Sequence, residues 1–170
     1  MLNRLREYNQ HRANCHYEPI QIGIGINTGT LMLGTVGGYN RMNSTVISDA
    51  VNLASRLEGL TKNYGVALLI SHQTFLRLEN RDRYIIRQID TVQVKGKSQR
   101  VTVYEVCDGD LPHLRDAKQA TLDMFATGLS LFNQQNYGEA AQRFAECLRQ
   151  NPGDRVAQIY WQRCQHPGAK

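Results

Sequence analysis

Asn52 and Arg56 stand four residues apart in a stretch, 49–64, whose apolar residues recur at helical spacing. Four residues is about one helical turn, so an amide and a guanidinium share one face. The guanidinium stays charged and its fork can address two oxygens at once. On spacing alone, the pair is also what a solvated helix face carries. Lys95 falls with Gly96 and Lys97 at the tip of a predicted hairpin, where a lysine is ordinarily a solvated edge charge. Thr45 opens the β-branched run Thr45-Val46-Ile47, an ordinary place for a strand residue, and its hydroxyl can accept a hydrogen bond.

Other titratable groups offer less. Asp49 reads as a helix-starting residue and Asp90 lies inside a strand-like run. Glu58 and Glu79 read as surface or helix-end charges, and no paired carboxylates have metal-ligand spacing. The five histidines show no triad logic. The four cysteines, Cys15, Cys107, Cys147 and Cys164, are scattered without a Cys-x-x-Cys or Cys/His ligand pattern, which points to reduced thiols. No metal ligand is therefore assigned in this chain.

The elements that must position these residues follow from periodicity. Residues 2–14 have helical spacing, with Leu2, Leu5 and Tyr8 on one face. Residues 20–27, IQIGIGIN, alternate strictly and predict a half-buried strand with isoleucines on one side. Gly23 and Gly25 on its other side let a helix, a partner or a ligand approach closely. Thr28-Gly29 turns the chain into a second strand over 30–36. Residues 49–64 form an amphipathic helix with Ser48 or Asp49 as N-cap and Gly65 as C-cap. A buried strand is predicted over 66–70, a short helix capped by Ser71, and a hairpin pairing 84–94 with 100–106. After Asp108 the composition shifts, residues 108–113 read as a linker, and the remainder is helical.

Three segments, IGIGINTG, TVISDAVNLASRLE and VQVKGKSQRVTVYEV, resemble class III nucleotidyl cyclases in the correct order over residues 1–107. The resemblance implies an α+β domain with a mixed sheet flanked by helices, related to the ferredoxin-like arrangement, and a catalytic site at a head-to-tail dimer interface. It implies that Asn52 orients the ribose, that Arg56 stabilises charge on the reacting phosphate, that Lys95 contacts the terminal phosphates and that Thr45 reads the purine in favour of adenine. It also implies two Mg2+ or Mn2+ ions, whose aspartate ligands lie upstream of anything present here. Ser48 stands where the family usually has Gly, and Asn43-Ser44 where it usually has Asp-Tyr. The stretch 121–154 resembles one tetratricopeptide repeat at Gly128, Tyr137, Ala140, Phe144 and Pro152, with a closing helix over 155–164.

The expected organisation is the C-terminal half of a cyclase domain over 1–107, a linker, and a tetratricopeptide-like hairpin with its closing helix over 114–166. The expected function is adenylate cyclase, with ATP as substrate and a complementary cyclase domain or second copy as partner. Taken alone, the chain would be inactive. The alternatives are a pseudo-cyclase that acts by association and a helical-repeat module whose tail binds a protein partner. The net charge of +5 suits a polyanionic ligand such as a nucleotide. With no run of five basic residues, nucleic acid is not an expected partner. No apolar run reaches membrane-spanning length and the first residues are too polar for a signal peptide, so a cytoplasmic chain is expected, with an upstream anchor left open.

Overall fold

The computed structural model describes residues 1–36, 43–47, 49–93 and 100–167, the backbone alone for 32–36 and 43–47. Helix α1 (Leu2–Asn14) leads into strand β1 (Ile24–Ile26). Strands β2 (Met32–Val36) and β3 (Asn43–Ile47) form a separate antiparallel pair, and helix α2 (Asp49–Tyr64) follows. Then come β4 (Leu68–Ser71), α3 (His72–Arg77), β5 (Ile86–Gln93) and β6 (Arg100–Val106). Helices α4 (Pro112–Ala120), α5 (Leu122–Asn133), α6 (Tyr137–Gln150) and α7 (Arg155–Gln165) complete the chain. The main sheet has the order β1-β4-β6-β5, with β1 parallel to β4 and the other neighbours antiparallel. This is the expected α+β mixed sheet with helices, followed by a helical region.

Register assigns the two faces. Gly25, Leu69, Glu105 and Arg87 fall in one row across the strands; Ile26, Ile70, Tyr104 and Gln88 fall in the next. Successive side chains point to opposite faces, so the two rows define opposite sides of the sheet. Helix α2 covers the first side, and its Leu53, Leu57, Thr61 and Tyr64 are buried. Helix α3 covers the second, where Phe75 stacks on Tyr104 at 4.3 Å between ring centroids.

The glycine face of β1 is occupied by α2. A Cβ at Gly25 would lie 2.3 Å from the Glu58 amide nitrogen and 2.4 Å from the Ala54 carbonyl oxygen. The strand itself is shorter than the alternation predicts. Only Ile24–Ile26 pairs, because the Asn9 side chain accepts from the amide of Ile20 and donates to its carbonyl, both at 2.8 Å, taking that backbone away from any ladder. The next strand also shifts, from 66–70 to Leu68–Ser71, since the Val66 amide closes the end of α2 on Thr61. Gly65 ends α2 with φ of 65°, the left-handed value that favours glycine. The predicted strand start at Tyr84 moves to Ile86, behind a single 3-10 turn over Arg81–Arg83.

The helical region shares one core with the sheet: Leu53, Leu57, Leu69, Ile89 and Val103 pack in a single cluster with Phe125, Phe144, Val156 and Tyr160. Across that junction runs a buried charge network. Arg87 Nε donates to Glu105 at 2.6 Å, and its two terminal nitrogens donate to the two Asp154 oxygens at 2.5 and 2.8 Å. Lys118 Nζ donates to Glu105 at 2.5 Å and to Asp110 at 2.7 Å. Asp154 also caps α7 by accepting from the amides of Val156 and Ala157. Burial raises the Asp154 carboxyl, but hydrogen bonding and charge from Arg87 outweigh it and hold the group below its ordinary value.

Four substitutions test this packing. Gly25→Ala is expected to lower stability by about 1–3 kcal/mol through overpacking against helix backbone. Gly59→Ala, where a Cβ meets nothing within 4 Å, should raise it by roughly 0.5–1 kcal/mol; urea midpoints of the two variants should move in opposite directions. Arg87→Met is expected to cost about 3–5 kcal/mol, because it leaves the buried Asp154 carboxylate without its cation and Glu105 with Lys118 alone. Because Asp154 is held low, its contribution is present above the ordinary carboxylate pKa near about 4 and is lost as pH falls through the folded value. The acid limb of an Asp154→Asn unfolding profile should therefore be flatter than that of the parent.

Candidate nucleotide-facing site

Helix α2 carries Asn52 and Arg56 on the side away from the core. Both are exposed, on a face that also bears Val51, Ser55 and Gly59, and neither has a side-chain hydrogen bond or ion pair among the described residues. Leu53 and Leu57, each one position further along, are buried and hold that face outward. Thr45 lies in β3 opposite Gly34, four residues before α2 begins. Lys95, with Gly96 and Lys97, lies outside the described residues, between β5 and β6. The structure thus brings Asn52 and Arg56 to one surface, with the strand carrying Thr45 leading into the same helix.

Several groups fix α2 that pattern alone does not reveal. At its first turn, Asn27 donates to the Ala50 carbonyl at 3.0 Å and accepts from Ser71 at 2.6 Å. Ser71 in turn accepts from the amide of Thr74 as the N-cap of α3. The Asn27-Thr28-Gly29 turn therefore ties the start of α2 to the start of α3, and the only signal for it in the sequence is a turn composition. At its last residue, Tyr64 donates its hydroxyl to Asp90, and Arg163 of α7 approaches the same carboxylate at 3.8 Å. Burial, followed by the Asp90 hydrogen bond, pushes the Tyr64 phenol upward and keeps it protonated as the donor. Asp90, a tempting metal candidate by residue type, is thus an acceptor within a protein network. Asp49 opens α2.

Glu105, Cys107 and Asp110 have ligand atoms within 4.8 Å of one another. They do not fit a divalent ion. The Lys118 ammonium sits between the two carboxylates, Arg87 holds Glu105 as well, and burial pushes the Cys107 thiol up to about 12, where it stays protonated. No other such cluster of histidine, cysteine and carboxylate groups occurs among the described residues.

Residues 1–107 match the adenylate and guanylate cyclase catalytic domain. The chain belongs to that family. It is 41% identical over 149 residues to the terminal-differentiation specific adenylate cyclase of Dictyostelium discoideum, which covers 87% of this chain and 7% of the relative. That likeness is longer than the family match and continues into the helical tail. An adenylate cyclase of Anabaena cylindrica is 50% identical over 88 residues, 51% of this chain and 18% of its own length. The chain therefore spans less than a fifth of either relative. Among solved structures, the guanylyl cyclase Cya2 superposes with a TM-score of 0.51 at 32% identity, covering 64% of this chain and 53% of that one. Cyclases of this class use a divalent metal. No repeat family is identified for the tail. Among the described residues, no helix is long and apolar enough to cross a membrane.

Thiol chemistry gives a direct check on the buried cluster. Cys15 is exposed, whereas Cys107, Cys147 and Cys164 are buried and burial raises all three thiols, Cys147 to about 11. A thiol-specific reagent at neutral pH should label one cysteine rapidly in the folded chain and four in denaturant. Fast labelling of Cys107 in the native protein would contradict the packing around Glu105.

Proposed function

We propose that this chain supplies the ribose-orienting and charge-stabilising half of an adenylate cyclase site, completed by a complementary cyclase domain that brings the metal ligands. The observation that supports it most is the outward face of α2. In a chain of the cyclase family, an amide and a guanidinium stand one turn apart, exposed and without a side-chain partner among the described residues, on a helix anchored at both ends. The relatives named above that match most of the cyclase half are described as adenylate cyclases. The helical tail, tetratricopeptide-like by its spacing, packs on this half as a support.

In the reaction, the ribose 3′-oxygen bonds to the α-phosphorus, the bond from that phosphorus to the bridging oxygen breaks, and pyrophosphate leaves with the electron pair. The hydroxyl proton is released. Charge builds on the phosphate oxygens, so a preorganised cation aimed at them lowers the barrier. Arg56 has that role: its two-pronged donor set addresses two oxygens and it stays charged. Asn52 orients the ribose, Lys95 meets the terminal phosphates, and the Thr45 hydroxyl accepts from the adenine amino group. In this reading Mg2+ or Mn2+ is held by the complementary segment, since the one carboxylate cluster described in this chain is filled by protein cations.

The test mixes the chain with a cyclase domain that keeps its metal aspartates but has lost its own counterpart of Arg56. Cyclic AMP is expected to appear on mixing. Arg56→Ala should lower kcat on the order of 100- to 1000-fold. Asn52→Ala should lower it less, with the KM for ATP little changed, as expected for a group that acts in the transition state. Binding of the two chains with no cyclic AMP at any ratio would overturn this reading and favour a protein that acts by association.

A further inference from the structure

Helix α7 touches the nucleotide-facing helix at both of its own ends. At its start, Arg155 lies over the α2 terminus: a Cβ at Gly65 would come within 2.9 Å of Arg155 Cγ. Near its end, Arg163 reaches Asp90, which already accepts from Tyr64, the last residue of α2. Between these points Tyr160 donates to the Ile89 carbonyl at 2.7 Å. Ile89 is the residue at which the β5 register shifts, so it has no partner in the ladder, and the tail supplies the donor its carbonyl needs. The Arg163 guanidinium also stands 5.1 Å over the Tyr160 ring.

Asp90 is therefore a junction of three elements. Through Tyr64 it holds α2, which carries Arg56 two turns upstream in the same unbroken helix. Along β5 it lies three residues before Gln93, beyond which the chain leads to Lys95. Arg163 of the tail pairs with it at 3.8 Å. A helix is stiff over two turns, so a change at Tyr64 moves the far end of α2 as well. A displacement of about 1 Å at a positioning group costs on the order of 100-fold in rate.

We infer that the helical tail sets the geometry of the cyclase half-site, with Asp90 as a positioning residue hydrogen-bonded by Tyr64 of α2 and paired at 3.8 Å with Arg163 of α7. The inference rests on the half-site reading of Asn52 and Arg56. It makes the tail a working part of the enzyme, and it places the control point at a carboxylate whose partners are Tyr64, Arg163 and the Thr91 amide.

The test uses the full chain in the complementation assay, with Arg163→Met, Arg163→Lys and Tyr64→Phe. Met keeps an unbranched side chain at this position and removes the guanidinium, and with it both the charge beside Asp90 and the cation over the Tyr160 ring. Arg163→Met and Tyr64→Phe should each lower kcat about tenfold, with the partner concentration for half-maximal activity unchanged in both and the melting temperature unchanged in Arg163→Met; Arg163→Lys should recover most of the rate. Amide exchange should quicken at Ser55–Tyr64 in the Met variant while β4 and β6 stay protected. Unchanged kcat and KM in both Arg163→Met and Tyr64→Phe overturns the inference. If the parent pair makes no cyclic AMP, the half-site reading has failed, and exchange alone decides: faster exchange confined to α2 upholds the coupling, and equal exchange overturns it.

Discussion

Arg87 is the constraint on which the rest of the structure depends. Its side chain is 2% exposed and its three donor nitrogens are spent on Glu105 from the neighbouring strand and on Asp154 from the tail, 67 residues away. Burial alone would favour the neutral guanidine, and the two carboxylates more than offset it, so the group stays charged and its pKa is raised. Replacing such a network by apolar residues can stabilise a fold, whereas removing one member leaves charge stranded. Its contribution here is to registry. Two carboxylate oxygens meeting two guanidinium nitrogens define distance and angle together, so β5 and the start of α7 have one mutual arrangement.

That arrangement extends to α2, whose outward face carries Asn52 and Arg56. Asp154 both accepts from Arg87 and caps α7, so the helix starts at a point fixed by the sheet. From there α7 runs past Gly65, Ile89 and Asp90, and each contact restrains α2 or β5. At the other end, Asn27 and Ser71 restrain the first turn of α2. A helix pinned at both ends and buried along one side can hold Asn52 and Arg56 in place without a side-chain partner among the described residues. This is what a site needs when its ligand and its complementary half come from outside the chain.

How much of this was legible in the sequence depended on range. The α2 boundaries, the Gly65 terminus and the Ser71 cap came directly from local pattern, because caps and helical spacing act within a few residues. The β1 alternation was read correctly as a glycine face and an isoleucine face, but its length was not, since the Asn9 side chain that takes the Ile20 backbone lies 11 residues away on another element. Arg87, Glu105, Lys118 and Asp154 gave no signal at all. In a strand, an arginine three residues before an aspartate looks like solvated edge charge, and only the tail packed over that face makes it interior. Residues 108–113 read as a linker because Gly109-Asp110-Leu111-Pro112 is loop-like, yet Asp110 is held by Lys118 and its carbonyl by Arg6.

Arg56 and Arg87 show why residue type alone could not separate mechanism from architecture. Both are arginines within regular elements, and both have the same donor geometry. Arg87 is enclosed and fully paired, so its charge is consumed in holding sheet to tail and none of it is available to a ligand. Arg56 is exposed and has no described partner, so its charge is uncommitted. A cation that has to stabilise developing negative charge must be held still without being neutralised beforehand. In the proposed half-site the two demands are separated: the buried pairing sits in the tail junction, its counter-charges stay in the core, and Arg56 stands on the outward face of α2.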